Sequence, residues 1–354
     1  MREQPQISID RLKSYLQEQY GLFSVEIDFL ALGLDYNAGV YRVKGLIDVE
    51  GFEGEQEISY FLKVKAGTLY EPGCLVSAYL CSHGITKVVA PILTRNRTLW
   101  TQIDNWTIIV YPYIEGDTSW SGMTDEQWKE TGAIFKHIHQ APLLVSGFES
   151  IRKETFDVMG YSRWIHAFKA QHIHAENDKN VSDARQVLLA SWRRHQITID
   201  TAIRHMEKLA AVLQKQSLPY VICHADLHPA NLIRDRLGHV HVIDWDEVML
   251  APKERDFIFV RETPVDTSMT ASIPPFFQGY GQTEINWIAL TYYRYERVIQ
   301  DVIECTREVF FKEDVSEEAR VDAAQLFDEV LSRDGEMETA LKTAMHLPKD
   351  LTRM

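Results

Sequence analysis

The stretch HADLHPAN at 224–231 is the most informative part of this chain, and the first aspartate of HVIDWD at 241–246 follows thirteen residues after its asparagine. Three side chains in it have complementary chemistry. Asp226 can accept the proton of a hydroxyl group, while Asn231 and Asp244 offer the oxygen atoms that Mg²⁺ prefers as ligands. An amide binds a metal without adding charge repulsion between anions, so a neutral ligand beside two carboxylates is chemically reasonable.

The residues between Asn231 and Asp244 predict a β-hairpin. Two runs of strand-forming residues flank a turn at 235–238, so Asp244 should stand at the end of the returning strand and face the loop of Asp226. The spacing H-x-D-x-x-x-x-N is also that of the kinase catalytic loop. Either motif alone could serve only as a helix cap or a turn. Together they favour a phosphoryl-transfer site with two metal ligands.

Composition limits the class of protein. The chain has 354 residues, 45% of them hydrophobic, which is enough for two lobes with sizeable cores. Its formal net charge of −14, without a run of Lys or Arg, argues against nucleic acid or an anionic membrane as partner and suits a cationic small-molecule acceptor.

Cysteine usage and hydropathy bear on location. The four cysteines show no C-x-x-C and no metal-binding spacing, which points to reduced thiols in a cytoplasm. No apolar stretch approaches the roughly twenty residues of a membrane span, and the N-terminus lacks the apolar core of a signal peptide. We expect a cytoplasmic protein without a membrane partner, as a monomer or weak homodimer.

Hydrophobic periodicity predicts an α+β fold of two lobes: a nucleotide-binding lobe at 1–112, and a mostly helical catalytic and substrate-binding lobe at 113–354 with a helical insert at about 150–215. In the first lobe, an antiparallel sheet and one inserted helix are expected. The predicted elements there are a helix at 6–20, strands within 25–65, a helix at about 73–82, and strands near 88–93, 98–103 and 106–111.

The third predicted strand carries two lysines on one face. Lys63 and Lys65 are two residues apart, and the apolar residues around them point to the other face. We expect Lys63 to face the nucleotide, although a lysine in a strand is often only a solvated edge charge. Upstream, Gly33, Asp35 and Asn37 lie in a glycine-bounded turn whose N–H groups can cover phosphates, or which is a plain hairpin turn.

The junction of the two lobes reads YPYIEG at 111–116. A linker that pairs with adenine needs one carbonyl acceptor and one N–H donor. Pro112 can supply the carbonyl and Ile114 the N–H, with Tyr111 at the back of the pocket. A proline that merely stiffens the linker is the alternative.

Four carboxylates are candidates to hold the ammonium groups of the acceptor. Buried ammonium groups need such partners. Solvated helix faces and capping are the alternative roles. The candidates are Asp246 and Glu247 next to the metal site, and Glu296 and Asp301 in a late helix.

Over most of the chain, from about Leu12 to Asp301, these motifs resemble the aminoglycoside phosphotransferase family, most closely its spectinomycin branch. The resemblance is carried by HADLHPAN, by IDWDE with LAPKERDF after it, and by YFLKVK, IIVYPYI, TGAIFKHIHQ and YYRYERVIQD. It implies a protein-kinase-like fold, ATP and Mg²⁺ as cofactors, and O-phosphorylation of an aminocyclitol or aminoglycoside antibiotic, most readily spectinomycin, as a resistance activity. By position, Asp226 resembles the catalytic base, Asn231 and Asp244 the metal ligands, and Lys63 the lysine on the ATP phosphates.

Departures from protein kinases are informative. Ala225 replaces the arginine that reads a phosphorylated activation loop, and Trp245-Asp246 replaces Phe-Gly, so regulation through that loop is not expected. The lysine partner is in question, because Glu71 is the only acidic residue between Lys63 and Ser82; a solvated carboxylate at a helix N-terminus is its alternative role. Alternative functions are a kinase of a cellular metabolite, of the amino sugar, choline or homoserine type, and a nucleotide-binding regulatory kinase or pseudokinase.

Overall fold

The computed structural model describes residues 4–32, 38–48, 55–119, 121–143, 149–173, 183–260, 273–312 and 315–352. Within them the fold is a mixed α+β fold, as predicted. The strands are β1 (Phe23–Leu30), β2 (Ala38–Asp48), β3 (Glu55–Ala66), β4 (Thr101–Ile103), β5 (Trp106–Pro112), β6 (Gly116–Asp117), β7 (Arg152–Lys153), β8 (Val221–Cys223), β9 (Leu232–Asp235), β10 (Val240–Val242) and β11 (Met249–Ala251). The α-helices are α1 (Ile9–Tyr20), α2 (Glu71–Ser82), α3 (Asp125–Gln140), α4 (Met159–Phe168), α5 (Asp183–Leu213), α6 (Pro275–Tyr280), α7 (Trp287–Phe310), α8 (Glu317–Leu331), α9 (Glu336–Ala344) and α10 (Lys349–Thr352).

An antiparallel sheet of five strands, in the order β1-β2-β3-β5-β4, forms the N-terminal part. Strand β3 lies in its centre, where Lys63 is opposite Val40 on one side and Ile109 on the other. The apolar residues that alternate with the lysines, Leu62 and Val64, are fully buried in a cluster that also contains side chains of α1. The predicted alternation is therefore present, and it leaves the lysines on the opposite face of the sheet.

Helix α1 begins and ends at residues suited to those positions. The hydroxyl of Ser8 accepts a hydrogen bond from the Arg11 N–H at the first turn. Gly21 ends the helix with φ 74°, a left-handed conformation that glycine adopts without steric cost. Leu12 and Leu16 on its buried face pack into the core of the sheet.

Two predicted strands of the first lobe are wrong or too long. Residues 88–93 form no strand: Val88 makes a single bridge to Val242, and Pro91 has no N–H to donate to a ladder. Of 98–103 only Thr101–Ile103 is a strand, because Thr94 N–H bonds the carbonyl of Thr98 in a turn.

The hairpin predicted after Asn231 is present. Strands β9 and β10 pair antiparallel, and the N–H of Gly238 bonds the carbonyl of Asp235 across the turn at 2.9 Å. Strand β6 pairs with the other edge of β9. Helix α3 starts with a capping box between Thr124 and Gln127 and packs closely on α6.

The chain divides into two compact units. The first contains Met1–Arg152, Val221–Leu250 and Thr263–Gln282, and the second contains Lys153–Tyr220, Ala251–Glu262 and Thr283–Met354. The second unit is helical, with Trp192, Phe327 and Tyr292 among its fully buried side chains. The predicted lobe bounds at 1–112 and 113–354 stay a prediction. No helix in the described part of the chain is long and apolar enough to cross a membrane.

Candidate active site

The loop HADLHPAN is fastened to the hairpin strand through His224. This fully buried histidine makes a hydrogen bond of 2.8 Å from Nε2 to the carbonyl of Ile243, and the N–H of Asp226 lies 3.3 Å from its Nδ1. Because Nδ1 accepts a bond from the Asp226 N–H, Nε2 is the nitrogen that donates to the Ile243 carbonyl. The imidazole therefore sets the position of Asp226 relative to the end of β10.

Asn231 holds the carboxylate of Asp226. The amide nitrogen of Asn231 donates to the Asp226 carbonyl at 2.9 Å and to its Oδ2 at 3.1 Å. His228 lies on the same carboxylate, with Nε2 3.3 Å from Oδ2. Since the amide nitrogen is used in this way, the amide oxygen of Asn231 is the atom that can bind a metal. The loop thus combines a fixed, partly exposed carboxylate with a neutral oxygen ligand.

Asp244 lies at the end of the hairpin, next to this loop in the hydrogen-bond network. The N–H of Ile243 donates to the carbonyl of Asn231 at 3.0 Å, so the residue before Asp244 is tied directly to the loop. Asp244 itself has φ 59°, in the left-handed region. Its side chain is about half exposed, and its Oδ1 is 3.0 Å from the ammonium of Lys63. The structure therefore brings Lys63, Asn231 and Asp244 into one connected site.

Both lysines of β3 contact Asp246. The Oδ2 atom of Asp246 lies 3.0 Å from Lys63 Nζ and 2.7 Å from Lys65 Nζ. Burial lowers the pKa of the Lys63 ammonium, but Asp244 and Asp246 raise it by more, so the lysine stays charged. Burial raises the pKa of the Asp246 carboxyl, and the two lysines more than offset this, so its pKa lies below the ordinary value. Lys63 and Asp246 are therefore both ionised at neutral pH.

Glu71 lies apart from these charges. It is the first residue of α2, which begins two residues earlier than predicted, so Glu71 lies in the helix and not before it, and its side chain is exposed. Among the described residues, the ion pairs of Lys63 are with Asp244 and Asp246. A lysine pair with a carboxylate of α2 is thus not formed here.

The predicted linker begins at the end of β5. Pro112 is the last residue of β5, opposite Tyr60, and Tyr111 is hydrogen-bonded to Cys74 of α2. Burial, Cys74 and the nearby aspartates raise the pKa of the Tyr111 hydroxyl, and burial raises the pKa of the Cys74 thiol to about 12. The roles of Tyr111, Pro112 and Ile114 toward adenine stay predictions, and Gly33, Asp35 and Asn37 lie outside the described residues.

The four candidate acceptor carboxylates have different surroundings. Asp246 is engaged by Lys63 and Lys65, which gives its assignment to the acceptor no support. Glu247 is exposed and lies 3.1 Å from a guanidinium nitrogen of Arg152.

Glu296 and Asp301 belong to the second unit. Glu296 is buried, forms an ion pair with Arg255 and accepts a hydrogen bond of 3.0 Å from the Tyr292 hydroxyl. Burial raises the pKa of its carboxyl. Asp301 pairs with Arg297 one turn away at 2.9 Å. The alternative of a solvated helix face therefore does not describe Glu296, whose charge is matched inside the protein.

Sequence reasoning missed Arg152. Its guanidinium donates to the backbone carbonyl of Asp246 at 2.7 Å and stacks 4.2 Å above the ring of Tyr70. The residue lies 94 positions from Asp246 and belongs to no motif, so nothing local in the sequence marks it.

The donor set suits a divalent cation with hard oxygen ligands. Asn231 offers an amide oxygen, and Asp244 offers a half-exposed carboxylate with one oxygen on Lys63. Mg²⁺ takes oxygen ligands of this kind, often one or two from the protein with phosphate oxygens completing its shell. These two residues therefore fit magnesium bound together with a phosphorylated ligand.

Comparison with known proteins agrees with this chemistry. Residues 76–290 match the family model described as the phosphotransferase enzyme family, APH. Spectinomycin phosphotransferase APH(9)-Ia in complex with ADP and spectinomycin is 27% identical, with a TM-score of 0.80 over 96% of this chain and 99% of that one. Its AMP-bound complex is 26% identical, with a TM-score of 0.76 over 95% and 98% of the two chains.

A more distant solved structure shares the fold alone. An aminoglycoside phosphotransferase from Alicyclobacillus acidocaldarius subsp. acidocaldarius is 14% identical, with a TM-score of 0.55 over 98% of both chains. No curated protein matches the chain.

Proposed function

We propose that this chain, which belongs to the phosphotransferase enzyme family APH, transfers the γ-phosphoryl group of ATP to a hydroxyl of a cationic aminocyclitol or aminoglycoside, with spectinomycin the first candidate. Its protein-kinase-like fold and family make it a kinase-type phosphotransferase that binds a nucleotide. The observation that carries the finer proposal is the linked arrangement of Asp226, Asn231, Asp244 and Lys63 in one compact unit.

Each residue has a role that follows from its surroundings. Asp226, oriented by Asn231 and His228, accepts the proton of the attacking hydroxyl. Lys63 carries a positive charge on the polar face of the sheet and contacts the phosphates. Asn231 and Asp244 would hold Mg²⁺, which neutralises charge on the phosphates when bound. Phosphoryl transfer needs little covalent help from a protein, so positioning and charge supply most of the catalysis.

Two observations support the acceptor class. The solved structure of APH(9)-Ia, at 27% identity over almost the whole chain, contains spectinomycin, and this chain carries a net charge of −14. A cationic antibiotic is attracted by such a field. The proposed acceptor class does not depend on contacts made by Asp246, Glu247, Glu296 or Asp301. Resistance to spectinomycin would be the physiological consequence.

A direct assay tests the acceptor. The protein is incubated with MgATP and a panel of aminocyclitols, aminoglycosides, choline, ethanolamine, homoserine and amino sugars, and products are examined by mass spectrometry for one added phosphoryl group. We expect the addition on spectinomycin or a related aminocyclitol. Preferential modification of a cellular metabolite would replace the antibiotic proposal by a metabolite kinase, and ATP binding without any transfer would indicate a pseudokinase.

The Asp226→Asn variant is the matched control for that assay. The amide keeps the size of the side chain and removes its basicity, so turnover should fall by about 10²–10⁴ while ATP affinity changes only a few-fold. Turnover near that of the wild type would show that Asp226 is not the base.

A further inference from the structure

Lys63 is a buried cation that needs a carboxylate partner at every stage of the reaction. Its side chain is about 10% exposed, and an ammonium removed from water is stable only when it is paired and hydrogen-bonded. In the described structure two carboxylates meet this need, those of Asp244 and Asp246, each 3.0 Å away. Glu71 of α2 is exposed and does not take part.

The two carboxylates differ in what else they must do. Asp244 is the proposed metal ligand, so its charge is shared with the cation whenever nucleotide and magnesium are bound. Asp246 is not a proposed metal ligand, and its Oδ2 also lies 2.7 Å from Lys65 Nζ. It therefore remains on Lys63 and offsets the repulsion between two ammonium groups on the same face of β3.

The backbone around Asp246 is held in place from several sides. Arg152 donates to its carbonyl at 2.7 Å, and the preceding Trp245 is buried with its ring 4.8 Å from that of His224. Helix α2 lies directly against this segment, because a Cβ added at Gly73 would be 3.0 Å from the Trp245 carbonyl oxygen. Asp246 thus belongs to the same network of contacts as the loop at 224–231.

We propose that Asp246 is the positioning residue of the phosphate-binding lysine, in place of a carboxylate on α2, and that it sets Lys63 and Lys65 side by side toward the nucleotide. The inference rests on the proposed function in one respect, that the ligand of this site is a nucleotide with its magnesium. A role of Asp246 in acceptor binding is a different hypothesis, because Asp246 would then contact the acceptor and would not position Lys63 for the nucleotide.

The test compares four variants, Asp246→Asn, Asp246→Glu, Asp28→Asn and Glu71→Gln. Each is studied by calorimetric titration of ATP over a series of magnesium concentrations, and by kinetics with the acceptor found in the panel assay. In Asp246→Asn, Lys63 is left with Asp244 alone and competes with the metal for it. More magnesium should then be required for half-maximal ATP affinity, and kcat at saturating MgATP should fall about ten- to hundredfold, as expected for a lost hydrogen bond between charged groups. The acceptor KM should stay within about twofold.

Asp246→Glu restores the carboxylate. The magnesium concentration needed for half-maximal ATP affinity should return most of the way to that of the wild type, which shows that Asp246→Asn loses positioning of Lys63 and not the fold. Asp28→Asn, the same change at an exposed site on β1, is the control and should match the wild type. The inference is overturned if Asp246→Asn behaves like Asp28→Asn, if only the acceptor KM rises, or if Glu71→Gln has an effect as large as Asp246→Asn.

Failure of the proposed function gives a different result. Since the magnesium and ATP titration needs no acceptor, a wild-type chain that binds MgATP but phosphorylates nothing in the panel still yields the comparison of variants. A wild-type chain that does not bind MgATP overturns the inference together with the proposed function.

Discussion

Among single residues, two with a strained backbone lie at the acidic groups of the proposed chemistry. Ala225 has φ 69° and Asp244 has φ 59°, conformations that cost a residue with a Cβ about 1 kcal/mol or more. Both are stabilised by the hydrogen bonds that join His224 to Ile243 and Ile243 to Asn231. The backbone strain at these two residues therefore lies where the loop at 224–231 is fixed to the end of β10, as expected at a site that must be preorganised.

Replacing Asp244 by alanine tests its assignment to the metal. The change removes one proposed magnesium ligand and one of the two carboxylates on Lys63. We expect the gain in ATP affinity that magnesium brings to be mostly lost, and the affinity without magnesium to change only a few-fold. Calorimetric titration of ATP with and without magnesium measures both quantities. A metal effect equal to that of the wild type would exclude Asp244 as a ligand.

Glu296→Gln tests whether this buried carboxylate serves the fold or the acceptor. Arg255 would lose its charge partner, and breaking one side of a buried pair typically costs about 3–5 kcal/mol. The melting temperature should therefore fall clearly, whereas Glu247→Gln, at an exposed carboxylate, should leave it unchanged. A variant of Glu296 with wild-type stability and a raised acceptor KM would instead support the original assignment to acceptor binding.

At the scale of elements, local patterns predicted those features that local forces determine. The hairpin of β9 and β10 follows from a glycine turn between strand-forming runs, and α3, α5 and α7 lie in the part of the chain whose periodicity predicts mostly helices. Helix α2 starts two residues earlier than predicted because Pro72 is tolerated in its first turn. The sequence offers Glu71 on that helix as a partner of Lys63, yet the observed partner Asp246 is 183 positions from Lys63, a pairing that no local pattern encodes.

The contact of α3 with α6 depends on two glycines. A Cβ at Gly279 would lie 1.8 Å from the Lys129 carbonyl oxygen, and one at Gly132 would lie 1.9 Å from that of Phe276. Neither position can accept a methyl group unless the helices separate. We expect Gly279→Ala to destabilise the protein by about 1–3 kcal/mol or more in denaturant unfolding.

Gly160→Ala is the matched control for that change. No atom lies within 4 Å of a Cβ placed at Gly160, which is exposed in α4, so alanine should be neutral or stabilising by up to about 1 kcal/mol. Equal stability of the two variants would mean that α3 and α6 do not approach each other so closely.

At the scale of the whole molecule, the residues proposed to bind MgATP all fall in the first compact unit, although 181 positions separate Lys63 from Asp244. Two of the carboxylates suggested for the acceptor, Glu296 and Asp301, fall in the second. That Lys63, Asn231 and Asp244 lie together could be predicted because they belong to short motifs, and their roles toward a nucleotide stay a prediction. The acceptor part could not, since carboxylates that hold ammonium groups follow no fixed spacing and several here are paired with arginines.

This division predicts where nucleotide binding stabilises the chain. A ligand at a hundred times its dissociation constant stabilises the state that binds it by about 2.7 kcal/mol, which slows hydrogen exchange in the segments whose opening destroys the site. With MgATP, exchange should slow in β3, in 224–231 and in 243–246, and stay unchanged in α5 and α8 of the second unit. Mass spectrometry of exchanged peptides measures this, with the Asp244→Ala variant as a control that should lose the magnesium-dependent part. Equal slowing in α5 and β3 would show that the nucleotide stabilises both units together and that its site is not confined to the first.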